Sequence, residues 1–309
     1  MSCAKHTLRR GRAAQQSGDT LPGRVHPVTG RAGARRRRFR EAAGPAPAYA
    51  PGRLSSERAA STHDRDLAEA FDRQAERFER AKVSRDAASL AALVSFAALP
   101  PGSRVLDAGC GPGLVAEAFL GAGCDVSGVD LSPEMVRRAA ERCARFGARA
   151  RFERRSLFDV EGSFDASVSR NVLHHVESPR EFLSRQVALV RPGGVVVALD
   201  LVGDPDPARA AWARSIERAR DVTHTRTLSP GELLDLFAGA GLGGLSAREE
   251  EIALDFDEWF DRGSPAVPKD EARGLLLSGA ARGFSPHPRA DGGVDIRCLR
   301  LAVRGVKPR

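Results

Sequence analysis

The sequence predicts an α/β protein, doubly wound around a mostly parallel sheet, and three observations lead there. From Arg104 onward, apolar strand-like runs alternate with amphipathic helical runs, the order that builds a parallel sheet through right-handed crossovers. The first of these strands ends in a carboxylate and passes through a glycine-rich turn into a helix: Val105-Leu106-Asp107-Ala108-Gly109-Cys110-Gly111-Pro112-Gly113. The second strand ends in another carboxylate, Asp130, seventeen residues past Gly113. Ligands of such sheets bind at the carboxyl ends of the strands, where both acids fall.

The elements follow from periodicity and terminators. Leu67, Ala70, Phe71, Ala75 and Phe78 recur at helical spacing and predict a helix over 64–81. A second helix over 84–99 opens at a Ser84 cap and closes at Pro100-Pro101-Gly102. Strands are expected over 104–108, 125–130, 149–155, 164–169 and 194–202, with helices over 113–120, 133–146 and 179–190 between them. Further on, 205–220 and 230–240 read as helices and 245–254 and 294–303 as strands. Between those strands lie the aromatic cluster Phe256, Trp259 and Phe260 and a helical stretch near 270–282.

Composition narrows the class. With 309 residues, 42% hydrophobic and 28% charged, the chain is long enough for one large domain or two small ones. The longest apolar run, Val195 to Val202, contains Asp200 and is far too short for a membrane span. Cys3, Cys110, Cys124, Cys143 and Cys298 are odd in number and form no C-x-x-C pair, which fits a reducing, cytoplasmic setting. The seven histidines make no metal-ligand spacing, so no metal is expected. The net charge of +8 sits in the first sixty residues, which hold 13 Lys and Arg against three acids; 61–309 hold 35 against 37. That basic, Arg/Ala/Gly/Pro-rich segment 1–60, with Arg35 to Arg38 in a run, is expected to be a disordered tail. A targeting segment, a phosphate-touching arm and translated GC-rich upstream sequence remain alternatives for it. The ordered domain is then 61–309, with a cofactor-binding core at about 100–203 and an acceptor-side cap from 61–99 and 205–290.

The glycine turn and Asp130 describe a site for a nucleoside-bearing cofactor. Glycine lets the backbone turn sharply and lets a ligand approach without a Cβ in the way. A carboxylate ending the second strand suits the two hydroxyls of a ribose. The spacing is G-x-G-x-G, whereas the dinucleotide fingerprint is G-x-G-x-x-G. Asp107, two residues before the first glycine, suits a cationic ammonium or sulfonium and would repel a pyrophosphate.

VLDAGCGPG, then VDLSPEMV (129–136), SFDASVSRNVLHHV (163–176) and LVRPGGVVVALD (189–200) resemble, in order, the motifs of class I S-adenosylmethionine-dependent methyltransferases. Phe71-Asp72-Arg73-Gln74-Ala75 is similar to the lead-in helix of the quinone-biosynthesis C-methyltransferase type, and 220–229 to a segment of some bacterial small-molecule methyltransferases. The resemblance implies a Rossmann-like sheet of seven strands with an antiparallel C-terminal edge hairpin. It implies S-adenosyl-L-methionine as cofactor, held by Asp107, Gly109, Cys110, Gly111, Gly113, Asp130, Leu131, Ser156, Leu157 and Asn171. Asp107, Gly109 and Gly111 would line the methionine end, with Asn171 beside it; Asp130 would hold the ribose, and Leu131 would pack on the adenine. The acidic residue that usually meets the adenine amino group is missing after the third strand, where Ser156 stands, with Glu153 and Asp159 as alternatives.

Transfer from a sulfonium needs mainly an aligned acceptor and the exclusion of water. A general base can add to this, and His175 and His224 are the candidates, His174 less so because adjacent side chains do not readily share one site. Trp212, Phe237, Phe256, Trp259 and Phe260 are candidates for an apolar acceptor pocket. The expected partner is a small, partly apolar acceptor such as a quinone precursor or secondary metabolite. The acidic body and the absence of nucleic-acid methylator motifs argue against an RNA or DNA acceptor. A cofactor-binding homologue without transfer activity, an RNA methyltransferase and, disfavoured by glycine spacing, a nicotinamide oxidoreductase are the alternatives.

Overall fold

The structure, a computed structural model, describes residues 61–309 and a short strand, Val25–Pro27. The expected disorder of 1–60 lies, that strand apart, outside the described residues. The helices are α1 (Thr62–Arg80), α2 (Ala87–Ala97), α3 (Leu114–Gly121), α4 (Pro133–Cys143), α5 (Pro179–Leu189), α6 (Pro207–Arg220), α7 (Pro230–Gly239), α8 (Phe256–Asp261) and α9 (Lys269–Leu277). The strands are β1 (Val25–Pro27), β2 (Arg104–Ala108), β3 (Asp125–Asp130), β4 (Ala150–Arg154), β5 (Phe164–Arg170), β6 (Val190–Val202), β7 (Gly243–Asp255), β8 (Phe284–Pro288) and β9 (Val294–Val306). Among the described residues, no helix is long and apolar enough to cross a membrane.

The strands form one sheet in the order β1-β7-β9-β6-β5-β2-β3-β4, with β8 paired on β9. β4, β3, β2, β5 and β6 are parallel, while β9 runs antiparallel to both β6 and β7. The expected seven strands are present, and β1 and β8 are additions at the antiparallel end. That end is more than a hairpin, because α8, α9 and β8 intervene between β7 and β9. The chain builds β2, β3 and β4 toward one edge and returns to β5 on the other side of β2, so the crevice opens where β2 and β5 end.

Local chemistry explains the helix starts. Ser132-Pro133, Ser178-Pro179, Asp206-Pro207 and Ser229-Pro230 each place a capping oxygen before a proline whose fixed φ suits the first helical turn. α6 therefore starts at Pro207 rather than Pro205. Asp86, not Ser84, caps α2, accepting from the Ala88 amide at 3.0 Å and the Ser89 amide at 3.2 Å.

Successive side chains of a strand face opposite sides, and the buried residues alternate accordingly. Val105, Val197 and Leu199 pack on α2 and α3 through Leu93, Ala97, Phe119 and Leu120. Leu106, Val196 and Ala198 pack on α5 and α7 through Phe182, Leu183, Leu233 and Phe237. Helices thus cover both faces. A third core joins α6, α8, α9 and the antiparallel strands through Ile216, Phe256, Trp259, Phe260, Leu276 and Phe284.

Gly113 joins turn to helix at φ +80°, and a Cβ there would lie 2.9 Å from the Ala139 Cα of α4. Gly111 is left-handed too, at φ +50°, but has open space around it. Urea unfolding is expected to show Gly113→Ala losing about 3 kcal/mol, from backbone strain plus a clash that α4 cannot relieve, and Gly111→Ala about 1 kcal/mol from strain alone.

Candidate active site

The ends of β2, β3 and β5 surround a cavity of about 160 Å³. The glycine turn is pinned to β3, with the amides of Gly109 and Cys110 both donating to the Val129 carbonyl at 2.9 and 3.0 Å. A Cβ at Gly109 would lie 2.8 Å from Val172 Cγ2, so the turn packs closely against the loop after β5. Asp130 is fixed by backbone amides, with Gly111 donating to Oδ2 at 2.9 Å and Ser132 to Oδ1 at 3.0 Å.

Of the residues expected to hold a cofactor, Gly109, Cys110, Gly111, Asp130, Leu131, Ser156, Leu157 and Asn171 line this cavity. Gly113 does not; its missing side chain serves the packing of the turn on α4. Neither do the alternatives Glu153 and Asp159, and Glu153 pairs with Arg155 at the surface. Asp107 is buried and also outside the lining, and its Oδ2 has no hydrogen-bond partner among the described residues. Burial, reinforced by the charge of Asp130, pushes the Asp107 carboxyl up to about 7. Burial likewise raises Asp130, although the amides of Ser132 and Gly111 counteract it. Burial and then the two carboxylates push the Cys110 thiol well above its usual range, so it is no nucleophile. Asn171 follows β5 at φ +56°, a conformation asparagine tolerates, and its buried Oδ1 has no partner among the described residues.

The lead-in helix α1 roofs the cavity with Asp64, Leu67, Ala68, Phe71 and Phe78. Polar ties hold it there. Asp72 accepts from Ser132 Oγ at 2.5 Å and the Glu134 amide at 3.1 Å, and Glu79 pairs with Arg138 and Arg142. At its N-terminus, His63 Nε2 donates to the His175 carbonyl at 2.7 Å. The apolar face of α1 was visible in the sequence, but its place over the cofactor-side cavity was not.

A smaller chamber of about 70 Å³ adjoins the first and shares Phe71, Phe78, Asn171 and His175 with it. His174 and His175 both line this chamber, with their rings 4.2 Å apart; a turn, unlike a regular helix, brings neighbouring side chains together. The turn is organised by Asp200 at the end of β6. Its Oδ2 accepts from the amides of Val172 (2.9 Å) and Leu173 (2.7 Å), and its Oδ1 from the Leu201 amide (2.8 Å) and His174 Nδ1 (2.5 Å). Burial alone would lower His174, but Asp200, aided by Glu217 and Asp221, raises it overall. Burial opposes the charge on Asp200, and His174 and the turn amides overcome that, holding its carboxyl below the usual range.

His175 is tuned the other way: burial and the charge of His174 bring it down to about 3, so it is neutral. Its tautomer follows from its neighbours. The Thr223 hydroxyl donates to Asp221 Oδ1 at 2.7 Å and so can only accept from His175 Nδ1, 3.1 Å away. Nδ1 carries the proton, and Nε2 keeps its lone pair.

His224 lines neither cavity. Its Nδ1 lies 3.6 Å from Glu217 Oε2 and its Nε2 3.2 Å from Thr227 Oγ1. Burial, then His174, holds it neutral. The 220–229 segment is nevertheless next to the site, because the Thr225 amide donates to the His174 carbonyl at 2.9 Å. Of the five aromatics expected in an acceptor pocket, only Trp259 lines the chamber; Phe237, Phe256 and Phe260 are core, and Trp212 stacks edge-on against Phe284. Apolar helical spacing does not separate a core face from a pocket face. Glu217, Ile252 and Arg262, which line the chamber, carried no motif, whereas Arg220 and Asp221, which also line it, open the 220–229 segment.

The raised value of His174 makes its pairing with Asp200 contribute fully below the ordinary histidine range and fade as pH rises through the raised value. The depressed value of Asp200 makes the contribution fade again only in strong acid. His174→Gln is expected to destabilise the protein by about 3 kcal/mol at pH 6, with the gap to wild type narrowing by pH 9, as read from urea unfolding at both pH values.

Comparison with known proteins agrees with this geometry. A family model described as "Methyltransferase domain" matches residues 73–247. The ubiquinone biosynthesis O-methyltransferase of Xanthomonas axonopodis pv. citri is 30% identical over 176 residues, 53% of this chain and 70% of that protein. The uncharacterized methyltransferase YcgJ of Bacillus subtilis is 26% identical over 67% of this chain and 82% of its own. The crystal structure of YcgJ superimposes with a TM-score of 0.65 over 72% of this chain and 99% of that one, at 24% identity. Geranyl diphosphate C-methyltransferase from Streptomyces coelicolor shares the fold at a TM-score of 0.54 and 15% identity, over 80% of this chain and 99% of its own. The chain belongs to the class I S-adenosylmethionine-dependent methyltransferase family.

Proposed function

We propose that the larger cavity binds S-adenosylmethionine, that the adjoining chamber binds a small hydroxyl-bearing acceptor of the quinone-precursor kind, and that the methyl group passes to its oxygen at their shared boundary. The observation that carries this reading is the junction itself: two cavities meet at Asn171 and His175, beside a glycine turn with two unsatisfied buried oxygens. Those oxygens, Asp107 Oδ2 and Asn171 Oδ1, fit a ligand with hydrogen-bond donors and positive charge. The ubiquinone biosynthesis O-methyltransferase relative supports the choice of oxygen and of acceptor class.

When bound, the cofactor supplies a methyl group on a sulfonium, an electrophile that needs no activation. Asp107 would balance the ammonium of its methionine portion, and Asp130, which the amides orient, would accept from its ribose hydroxyls. Leu131, Leu157 and Ser156 would flank the adenine. α1 excludes water from above with Leu67, Phe71 and Phe78. His175, fixed by Thr223 and Asp221, would accept the acceptor's hydroxyl hydrogen on Nε2 and so aim the oxygen. Because His175 is brought down to about 3 it is a weak base, so it positions the hydroxyl more than it deprotonates it, and the hydroxyl proton would leave to water as the oxygen is methylated. The acceptor-side cap of this reading is 61–99 together with 205–290, and the cofactor core is about 100–203.

Asp107 must ionise to meet the ammonium, and its value of about 7 lets it hold a proton below neutrality. In calorimetry, S-adenosylhomocysteine is expected to bind about tenfold more weakly at pH 5.5 than at pH 7.5, because at the lower pH binding must first release the proton that Asp107 holds. Asp107→Asn is expected to bind weakly with no such pH dependence, and Asp130→Ala to lose about tenfold or more. His175→Ala is expected to lower kcat by about 10²-fold while leaving S-adenosylhomocysteine affinity near wild type, as measured with methyl-labelled donor and a catechol panel. Tight binding of S-adenosylhomocysteine without transfer to any panel member would favour a non-transferring homologue.

A further inference from the structure

The smaller chamber contains three arginines, and only two have a carboxylate partner among the described residues. Arg300 pairs with Glu250 and donates to Ser89 Oγ at 3.0 Å. Arg220 reaches Asp221 at 3.3 Å and the Trp259 carbonyl at 2.9 Å. Arg262 is 8% exposed, and its one hydrogen bond among the described residues runs from Nε to the Glu258 carbonyl at 3.3 Å. None of those residues offers it a carboxylate within 4.0 Å, so the end of its guanidinium has no anion.

Of the acids nearby, Asp221 and Glu258 are already engaged. The Asp221 carboxylate accepts from Thr223 and faces Arg220 and Gln74. Glu258 accepts from the Lys82 amide. Burial raises Glu217, which lies beside His224. Burial brings Arg262 down to about 10, which still leaves it cationic at neutral pH. A guanidinium whose two terminal nitrogens have no partner among the described residues, in a chamber that has Phe78, Ile252, Leu254 and Trp259 as its apolar wall and Glu217 and Asp221 on its polar side, suits an oxyanion on a partly apolar body. Arg262 is not part of the cofactor-side cavity, whereas Asn171 and His175 belong to both.

We infer that Arg262 is the specificity-determining residue for the acceptor, and that the acceptor is a small acid whose carboxylate or phosphate group it binds. This rests on the chamber being the acceptor site. Arg262 would anchor the acid group while the apolar walls hold the body, leaving the nucleophilic atom to His175. Selectivity against neutral analogues follows, because an uncharged ligand would leave the buried cation unpaired.

The test uses the full chain saturated with S-adenosylhomocysteine and reads quenching of Trp259 fluorescence on titration with benzoate, phenyl phosphate and neutral benzamide. At least one of the two acids is expected to bind ten times or more tightly than benzamide, and which acid wins assigns carboxylate or phosphate. Arg262→Gln is expected to abolish the preference, and Arg262→Lys to retain part of it. Equal binding of acids and amide, binding of none of the three, or a preference that survives Arg262→Gln would overturn the inference. The wild-type comparison decides the matter if Arg262→Gln does not fold. Failure of S-adenosylhomocysteine itself to bind, measured separately by calorimetry, would instead overturn the methyltransferase reading of the cavities.

Discussion

The Asp200 carboxylate holds the site together. It accepts four hydrogen bonds, three from backbone amides and one from His174, so both oxygens are used twice in a buried place. Strand β6 is rigid because β5 and β9 flank it, and Asp200 passes that rigidity to the irregular turn after β5. That turn carries Asn171 and both histidines that face the chamber. Without those bonds, three backbone donors and one ring donor would be left without acceptors, and the boundary between the two cavities would have no fixed shape.

Charge is distributed around this point in a consistent way. Asp107, which is buried, and Asp130, which is half-buried, are acids whose neighbours only partly support their negative charge, so they suit a cationic, hydroxyl-bearing ligand on one side. On the other side Arg262 is a buried cation without a carboxylate partner among the described residues, favouring an anionic one. His175 stands between them without charge, because burial and then the charge of His174 beside it bring it down to about 3. The two cavities thus differ in electrostatic character although they share a wall.

Much of the fold and of the lining of the larger cavity was legible in the sequence. Strand residues buried on both faces read as apolar runs, Ser-Pro and Asp-Pro pairs mark helix starts, and G-x-G-x-G after a strand has few other uses. Eight of the ten residues expected to hold the cofactor line the cavity, because a turn between strand and helix is local and its geometry follows from a few adjacent residues. Asp200 carried the same signal as Asp107 and Asp130, an acid ending an apolar strand, and that pattern alone could have singled it out. The acceptor side was not legible. Its lining comes from α1, α6, β7 and α8, elements far apart in sequence, and its aromatic spacing is the same for a core as for a pocket. Phe256 and Phe260 went to the core while Trp259, between them, faces both the core and the chamber. Arg262 follows a short helix with no pattern around it, and only the three-dimensional structure shows that it is buried without a carboxylate partner among the described residues.

The central claim is that one ligand site is formed jointly by the glycine turn, the Asp200-held turn and α1. Hydrogen exchange with and without saturating S-adenosylhomocysteine tests it most directly. The account predicts slowed exchange in 64–78, 109–115 and 171–176 together, with α9 unchanged as an internal reference. Protection confined to the glycine turn, or absent from all three segments while the ligand is demonstrably bound, would contradict it.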